Sequence, residues 1–509
     1  MRLESFVRGQ WIAPGTDLTD IRSAVTGDIV AQVPGGGIEM GEVLTFGRAV
    51  GGPNLRRLTF HQRAELLKKV AQYLSERKDE LYSLSFQTGA TRTDNLIDID
   101  GGISTLFVYA SKGRRELPNS TFLVEGDVER LSRGGSFVGQ HVVTPLRGIA
   151  VHINAFNFPC WGLLEKMAPA ILAGIPVVSK PATITAYVAH ALIRLIDQSK
   201  ILPEGALQCI VGPTGDLFDH LTCQDIVSFT GSAETAQKLQ RHPVIARESV
   251  RFIAERDSLN CAILGPDAGP GTPEFDLFVK EVAKEMTVKA GQKCTAIRRA
   301  MAPQAHVQAV LDALGERLAK VRIGNPQIET VRMGPVVGLD QRRDVLAQVE
   351  KLRAEADIVV GDPRNFAVEG ADRERGAFLP PLLLHCPDPI RARNVHSVEA
   401  FGPVCTVMGY GSLDEAVTLA NRATAASWRP STPTIRTSRP TSSSVSERST
   451  GAFCCSIATA RRSRPDTDRP CRTWSMADRA GPEAARNSAA CGRSITTCSA
   501  RPCRVRPEC

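Results

Sequence analysis

Five short segments of this sequence combine residue types that can do chemistry. In Met286-Thr-Val-Lys-Ala-Gly-Gln-Lys-Cys294-Thr a cysteine follows glycine and two polar residues, just beyond a helical run. Such a cysteine can be exposed, its thiolate favoured by Lys293 and by backbone N–H groups. An isolated cysteine is otherwise more often a buried structural thiol. In Phe252-Ile-Ala-Glu255-Arg-Asp-Ser-Leu-Asn260 a carboxylate ends an apolar, strand-like run. Partly desolvated there, it could act as a base near neutrality, and the plain alternative is a surface ion pair with Arg256. Asn157, in Ile153-Asn-Ala-Phe-Asn-Phe-Pro-Cys-Trp161, follows a strand and can donate its side-chain N–H to a developing oxyanion. Its alternative is a turn-forming asparagine near a proline. Lys180 closes the next strand, where it could reach a ribose or phosphate or stay solvated. Gly231-Ser232 opens a helix after a strand, an arrangement that suits a pyrophosphate but is common in its own right.

These segments need elements to position them. Leu67, Val70, Leu74 and Leu81 mark one helical face ending near Gly89. From about residue 145 strands and helices alternate. Gly148 to Ile153 reads as a buried strand, Trp161 to Leu172 as a helix closed by Gly174, and Ile175 to Ser179 as the next strand. Ala206 to Val211 is a strand followed by the turn Gly212-Pro-Thr-Gly215 and a helix. Asp225 to Phe229 is a strand leading into a helix from Ala233, and Asn260 to Leu264 is another strand. Such alternation predicts an α/β fold with a parallel sheet covered on both faces, its ligands at the carboxyl ends of the strands. Residues 120–147 look like a short β-excursion, and a second alternation runs from 274 to about 411.

Taken in order and separation, the segments resemble the aldehyde dehydrogenase superfamily over roughly residues 1–422. The resemblance implies a Rossmann-like cofactor domain (1–119 and 148–250), a β oligomerisation hairpin (120–147) and an α/β catalytic domain (251–422). It makes Cys294 the nucleophile and Glu255 the base that activates water. Asn157 and the N–H of Cys294 become the oxyanion hole. Lys180 binds the adenosine ribose, and Gly231 and Ser232 lie near the pyrophosphate. In Glu399-Ala-Phe401-Gly-Pro403, Glu399 holds the nicotinamide ribose and Phe401 flanks the ring. Many NAD-preferring members carry Glu three residues after the lysine. Thr183 stands here, and a carboxylate would repel a 2′-phosphate that threonine can accept. The expectation is NADP, with NAD possible, and no metal.

Within the superfamily the chain is most similar to the aldehyde dehydrogenase part of bifunctional ring-cleavage proteins of phenylacetate degradation. Asp98-Ile-Asp-Gly-Gly102, Asp257-Ser-Leu-Asn260 and Gln292-Lys-Cys-Thr-Ala-Ile-Arg-Arg299 carry that similarity, with Asn154 to Gly162. That family oxidises a CoA-linked semialdehyde to the acid, and its full-length form adds a hydratase domain. A sister family in benzoate degradation oxidises a related CoA semialdehyde. A CoA-acylating dehydrogenase would use the same cysteine but would not need Glu255.

The composition has a break in it. From Thr424 to Cys509 there is no lysine, 15 arginines stand against six acids, and seven of the 14 cysteines occur. The chain's net charge of +8 therefore belongs to this tail. Without aromatic interleaving it does not read as a nucleic-acid site. The seven remaining cysteines are scattered and read as reduced thiols. No apolar run reaches the ~18 residues of a membrane helix, and no signal pattern opens the chain, so a cytoplasmic location is expected. The tail, residues 423–509, reads as a frameshift product. Shifted by one base, Met476 to Ala490 can encode Gly-Gly-Pro-Gly-Arg-Ala-Gly-Gly-Gly-Glu-Glu-Leu-Gly-Gly, and Ile495 to Arg504 can encode His-Tyr-Met-Gln-Arg-Thr-Ala-Val-Gln. Both resemble the end of the phenylacetate-type dehydrogenase domain. In the family that region completes the catalytic domain and pairs with the hairpin in a homo-oligomer. An inactive dehydrogenase-like chain is the corresponding alternative.

Overall fold

The computed structural model describes residues 1–423 and the backbone of 456–457. Apart from Ala423 and that two-residue strand, the frameshifted segment expected at 423–509 lies outside the described residues.

Two sheets carry the architecture. The first has seven strands in the order Arg251–Glu255, Ile226–Thr230, Ala150–Ile153, Val177–Lys180, Leu207–Cys209, Ser5–Val7 and Gln10–Ile12. Its first five strands run parallel. The inner four are mostly apolar, and even their polar His152, Ser179, Gln208 and Ser228 are buried, as in a sheet covered on both faces. Val151, Val177, Val178, Ile226 and Val227 are fully buried. The Trp161–Ala173 and Ala186–Ser199 helices supply cover, and the first ends on Gly174 at φ +84°, a left-handed terminus that glycine adopts without strain.

Several expectations need adjustment. The chain's first strands join this sheet antiparallel, through Phe6 opposite Cys209, so the sheet is mixed. The helical face at 67–81 is two helices, Phe60–Ser75 and Lys78–Ser85, with Gly89 at φ +88° beyond them. After Gly215 only the short 3-10 turn Leu217–His220 forms. Arg251–Glu255, grouped by sequence with the second unit, pairs into the first sheet alongside Ile226–Thr230.

The second sheet orders Asp357–Val360, Leu382–Cys386, Val404–Tyr410, Ile297–Pro303, Asn260–Ile263 and Ser456–Ile457. All its pairings are parallel except that of Asp357–Val360. The Pro273–Thr287, Val307–Leu318, Leu339–Leu352 and Leu413–Asn421 helices belong to this half. Arg299, fully buried, donates to the carbonyls of Leu259, Leu419 and Ala420. It thereby ties the final described helix, at its electronegative end, to the segment leading into the Asn260–Ile263 strand.

The β-excursion is an antiparallel hairpin, Leu123–Arg130 with Val138–Val143. It stands away from both cores, leaving Phe122, Val124, Val128, Leu131, Phe137, Val138 and Val142 exposed.

Candidate active site

Register decides which residues meet. Thr230 lies opposite Glu255, Phe229 opposite Ile153, and Ile153 opposite Lys180. The carboxyl ends of four parallel strands therefore present Glu255, Thr230, the Asn154–Asn157 loop and Lys180 along one rim.

Cys294 reaches this rim on a strained loop. After the Pro273–Thr287 helix, Lys289, Ala290 and Gly291 all take positive φ (57°, 48° and 69°). For the two non-glycine residues this costs on the order of 1–2 kcal/mol each. A side chain at Gly291 would strike the carbonyl of Gly402, so the loop lies backbone to backbone against the segment after Glu399. Several bonds hold it. Asp94 Oδ1 accepts from Lys289 N at 2.7 Å, and Gln292 bridges Lys289 O and Val337 N. Ser258 Oγ and Asn260 Nδ2 both donate to the carbonyl of Cys294.

Cys294 is half-buried and lies within electrostatic reach of the Glu255 carboxylate, which is exposed at the end of its strand and not desolvated as expected. Burial raises the thiol's pKa well above its ordinary value, and the carboxylates of Glu255, Glu165 and Glu399 add to the effect. The expected help from Lys293 is not what the structure shows. Its ammonium pairs with Glu285 at 2.7 Å. The thiol therefore sits among anions and rests protonated, with Glu255 as its neighbouring proton acceptor. Nor does Glu255 lean on Arg256, whose buried Nε has no hydrogen-bond partner.

Asn157 is buried in the loop after Ala150–Ile153. Its neighbours bracket it against the thiol's surroundings. Phe156 meets Phe401 edge-on at 5.8 Å, and Phe158 lies 6.0 Å from Lys289 Nζ. The Trp161–Ala173 helix following this loop has no cap of its own. Asp98 supplies one, its Oδ1 accepting from Cys160 N (3.1 Å) and Trp161 N (2.7 Å). Burial pushes Asp98 up to about 6.

Lys180 closes its strand as expected. Burial lowers its pKa, and no protein group among the described residues bonds its ammonium. A half-buried cation without a partner at a strand's carboxyl end fits an oxygen-rich ligand such as a ribose. Thr183 opens the turn three residues on. Ser232 caps the Ala233–Gln240 helix, accepting from Thr235 N at 3.3 Å. That helix end is partly taken, however. Gly231 N donates to Glu255 O, and Ala233 N donates to the Asp257 carboxylate at 2.9 Å. A pyrophosphate there would share the helix end with a carboxylate.

Glu399 is almost fully buried. Ser258 N donates to its Oε2 at 3.0 Å and Arg298 Nε to its Oε1 at 3.4 Å. Burial pushes it up to about 7, against the pull of Arg298 and the Ser258 N–H and with a push from Asp257.

The sequence reading missed Glu165, Lys166, Asp98 and Arg298. Glu165 accepts from Trp161 Nε1 at 2.6 Å and is pushed up to about 7 by burial and then by Glu255. Lys166 donates to Asn154 Oδ1 and Thr230 Oγ1. For Glu165, Lys166 and Arg298 a signal was present: two charges inside an otherwise apolar helix, and two arginines inside an apolar strand.

Comparison with known proteins agrees with this geometry. The sequence profile of the aldehyde dehydrogenase family matches residues 11–428. The 3,4-dehydroadipyl-CoA semialdehyde dehydrogenase of Aromatoleum evansii is 45% identical over 423 residues, 83% of this chain and 82% of the relative. Lactaldehyde dehydrogenase of Escherichia coli is 24% identical over 82% of this chain and 83% of its own. Among solved structures, betaine aldehyde dehydrogenase of Staphylococcus aureus, in complex with NAD+, superposes with a TM-score of 0.72 at 24% identity. That match covers 82% of this chain and 80% of the other.

Proposed function

Because the chain belongs to the aldehyde dehydrogenase family, an oxidoreductase acting on aldehydes, we propose that it oxidises a CoA-linked semialdehyde to the carboxylic acid with NADP. The observation that carries the mechanism is the strand-end position of Glu255, whose carboxylate acts on the Cys294 thiol. Glu255 takes the proton of the Cys294 thiol as sulfur adds to the aldehyde carbon. The side-chain amide of Asn157 and the backbone N–H of Cys294 receive the oxyanion. NADP, held by Lys180, Glu399 and Phe401, would supply the hydride acceptor. The acyl group is then held on Cys294 as a thioester. Glu255, which is solvent-exposed and gives that proton up to water, then deprotonates the water that releases the acid. A thiol acceptor such as free CoA would need no such base, so hydrolysis is the favoured outcome.

Lys180 and Thr183 would hold the adenosine end, and Thr183 carries the preference for NADP because it bears no charge to repel a 2′-phosphate. Glu399 would accept the nicotinamide ribose hydroxyls, and Phe401 would flank the ring. The CoA-linked substrate is supported by the Aromatoleum relative, whose name specifies a CoA semialdehyde. Both the phenylacetate-type and the benzoate-type readings share that chemistry. Cytoplasmic location is part of the proposal; no helix among the described residues is long and apolar enough to cross a membrane.

The deciding experiment is single-turnover kinetics with a CoA semialdehyde. Cys294→Ala should abolish oxidation while leaving the fold intact. Glu255→Gln should slow the release of the first equivalent of reduced cofactor, since the thiol loses its proton acceptor, and the acyl group that does form should stall on Cys294, visible by mass spectrometry. Parent-rate turnover by Glu255→Gln, with no acyl-enzyme, would remove Glu255 from its role.

We further propose that the tail from about residue 423 is read out of frame. Its composition supports this, as does the family match, which ends at residue 428. On this reading the chain as it stands is poorly soluble or inactive.

A further inference from the structure

Arg298 sits on the Ile297–Pro303 strand, just past the nucleophile, and is 5% exposed. Burying a guanidinium is costly unless its donors are met by acceptors of matching geometry. Here the planar fork reaches two different loops. On one side Nη2 donates to the carbonyls of Gly291 (2.9 Å) and Lys293 (3.5 Å), in the strained loop that carries Cys294. On the other, Nε donates to Glu399 Oε1 (3.4 Å) and Nη1 to the carbonyl of Gly402 (2.7 Å). Its Cζ also lies 5.4 Å from the centroid of the Phe401 ring, which in turn meets Phe156 beside Asn157. Fixed at one end by its own strand, the side chain spans the contact where Gly291 abuts Gly402. The next residue, Arg299, faces other partners entirely, the carbonyls of Leu259, Leu419 and Ala420. The two arginines are therefore not interchangeable ties.

We propose that Arg298 is a positioning residue that couples the Glu399 carboxylate to the Cys294 loop, so that the nicotinamide-ribose site and the nucleophile are set as one unit. This rests on the reading of Glu399 as the carboxylate that holds that ribose. The chemistry follows from the fork. A guanidinium bonded to both loops makes any displacement of Glu399 cost bonds at Gly291 and Lys293, and the reverse. A lysine at the same place keeps the charge but cannot meet four acceptors in one plane. The same contact holds the Glu399 carboxylate toward its ionised, ribose-accepting form. Besides Arg298, the groups facing that carboxylate are the Ser258 N–H, the Asp257 carboxylate and the Cys294 thiol.

The test uses the full chain and a readout that needs no turnover, titration of NADP by quenching of protein fluorescence. Arg298→Lys and Arg298→Gln, each checked for native circular dichroism, should bind NADP about tenfold more weakly, the expected result of losing charge-assisted bonds. In Arg298→Gln the low-pH limb of NADP binding should move to higher pH, because Glu399 loses its favouring cation. A structural tie alone would not move that limb. A double-mutant cycle with Glu399→Gln should show strongly non-additive losses. Alkylation of Cys294 by iodoacetamide should respond to NADP in the parent and lose that response in both Arg298 variants. Unchanged binding and alkylation in folded Arg298 variants, or losses that add with that of Glu399→Gln, overturn the coupling alone. A soluble parent chain with native circular dichroism that binds neither NADP nor NAD overturns the cofactor reading and the coupling with it. Should neither variant fold, the alkylation response of Glu399→Gln decides: a response to NADP equal to the parent's overturns the coupling.

Discussion

At the scale of single residues, the site is defined by charges placed where sequence alone could not put them. Thr183 was legible, since its spacing from Lys180 needs no structure. Thr183→Glu should raise the preference for NAD over NADP by about fivefold or more, since one added charge near a 2′-phosphate is worth at least ~1 kcal/mol. Competition kinetics with the two cofactors measures this, and an unmodified enzyme that already prefers NAD would refute it. Glu399 gives a pH prediction. Its pKa is raised to about 7 from an ordinary 4.5, so it is protonated below that point and ionised above it. Cofactor binding should weaken as pH falls through about 7, and Glu399→Gln should bind weakly at every pH without that dependence. Folding linkage has the opposite sense. A carboxyl raised in the folded state contributes stability that is full below its unfolded value near 4.5 and is lost as pH rises through about 7. Glu165 shares that direction. Melting curves of Glu165→Gln and the parent should therefore diverge across that window, with the variant flatter. Lys293 teaches the converse lesson. Adjacent in sequence to Cys294, it is spent on Glu285, and proximity along the chain was a poor guide to the thiol's field.

At the scale of elements, period and punctuation carried most of the information. The apolar runs at 150–153 and 226–230 are strands because only a two-sided core accepts them. The Trp161–Ala173 helix ends where Gly174 permits a left-handed turn. Three-residue strands such as Ser5–Val7 leave too short a pattern to read, and they exist only because the edge at Leu207–Cys209 offers a partner. The capping of the Trp161–Ala173 helix was equally hidden, since its acceptor arrives from Asp98, in a different segment. Asp98→Ala would leave two buried N–H groups unmet and should cost about 1–2 kcal/mol. It should also slow turnover, since the Asn157 loop leads directly into that helix start. Asp98→Asn keeps an accepting oxygen and removes a carboxyl whose burial already pushes it up to about 6. Thermal melting at pH 7.5 should therefore rank Asp98→Asn near the parent and Asp98→Ala below both. Equal melting of all three would mean that the cap contributes nothing.

At the scale of the whole molecule, the hairpin and the tail pose one problem together. The Leu123–Arg130 and Val138–Val143 strands form a sheet of only two, and seven large apolar side chains in and beside them face outward. A two-stranded ribbon with that surface is marginal by itself and invites pairing. The resemblance supplies a partner strand from the region after residue 423, contributed by another copy. In this chain residues 424–509 contain no lysine, and the proposed reading one base over gives short stretches that resemble the family. The second sheet's outer strand does acquire a neighbour, as Ser456–Ile457 pairs with Ala262–Ile263, a pairing of two residues. The expected outcome is concrete. A gene restored to the alternative frame near codon 423 should yield a soluble oligomer by light scattering, with the hairpin protected from hydrogen exchange and with aldehyde oxidation. The chain as written should be recovered mostly from the insoluble fraction, and its hairpin amides should exchange freely in whatever remains soluble. Peptides from 430–509 identified in native, active enzyme would refute the frameshift, and with it the link between the tail and the bare hairpin.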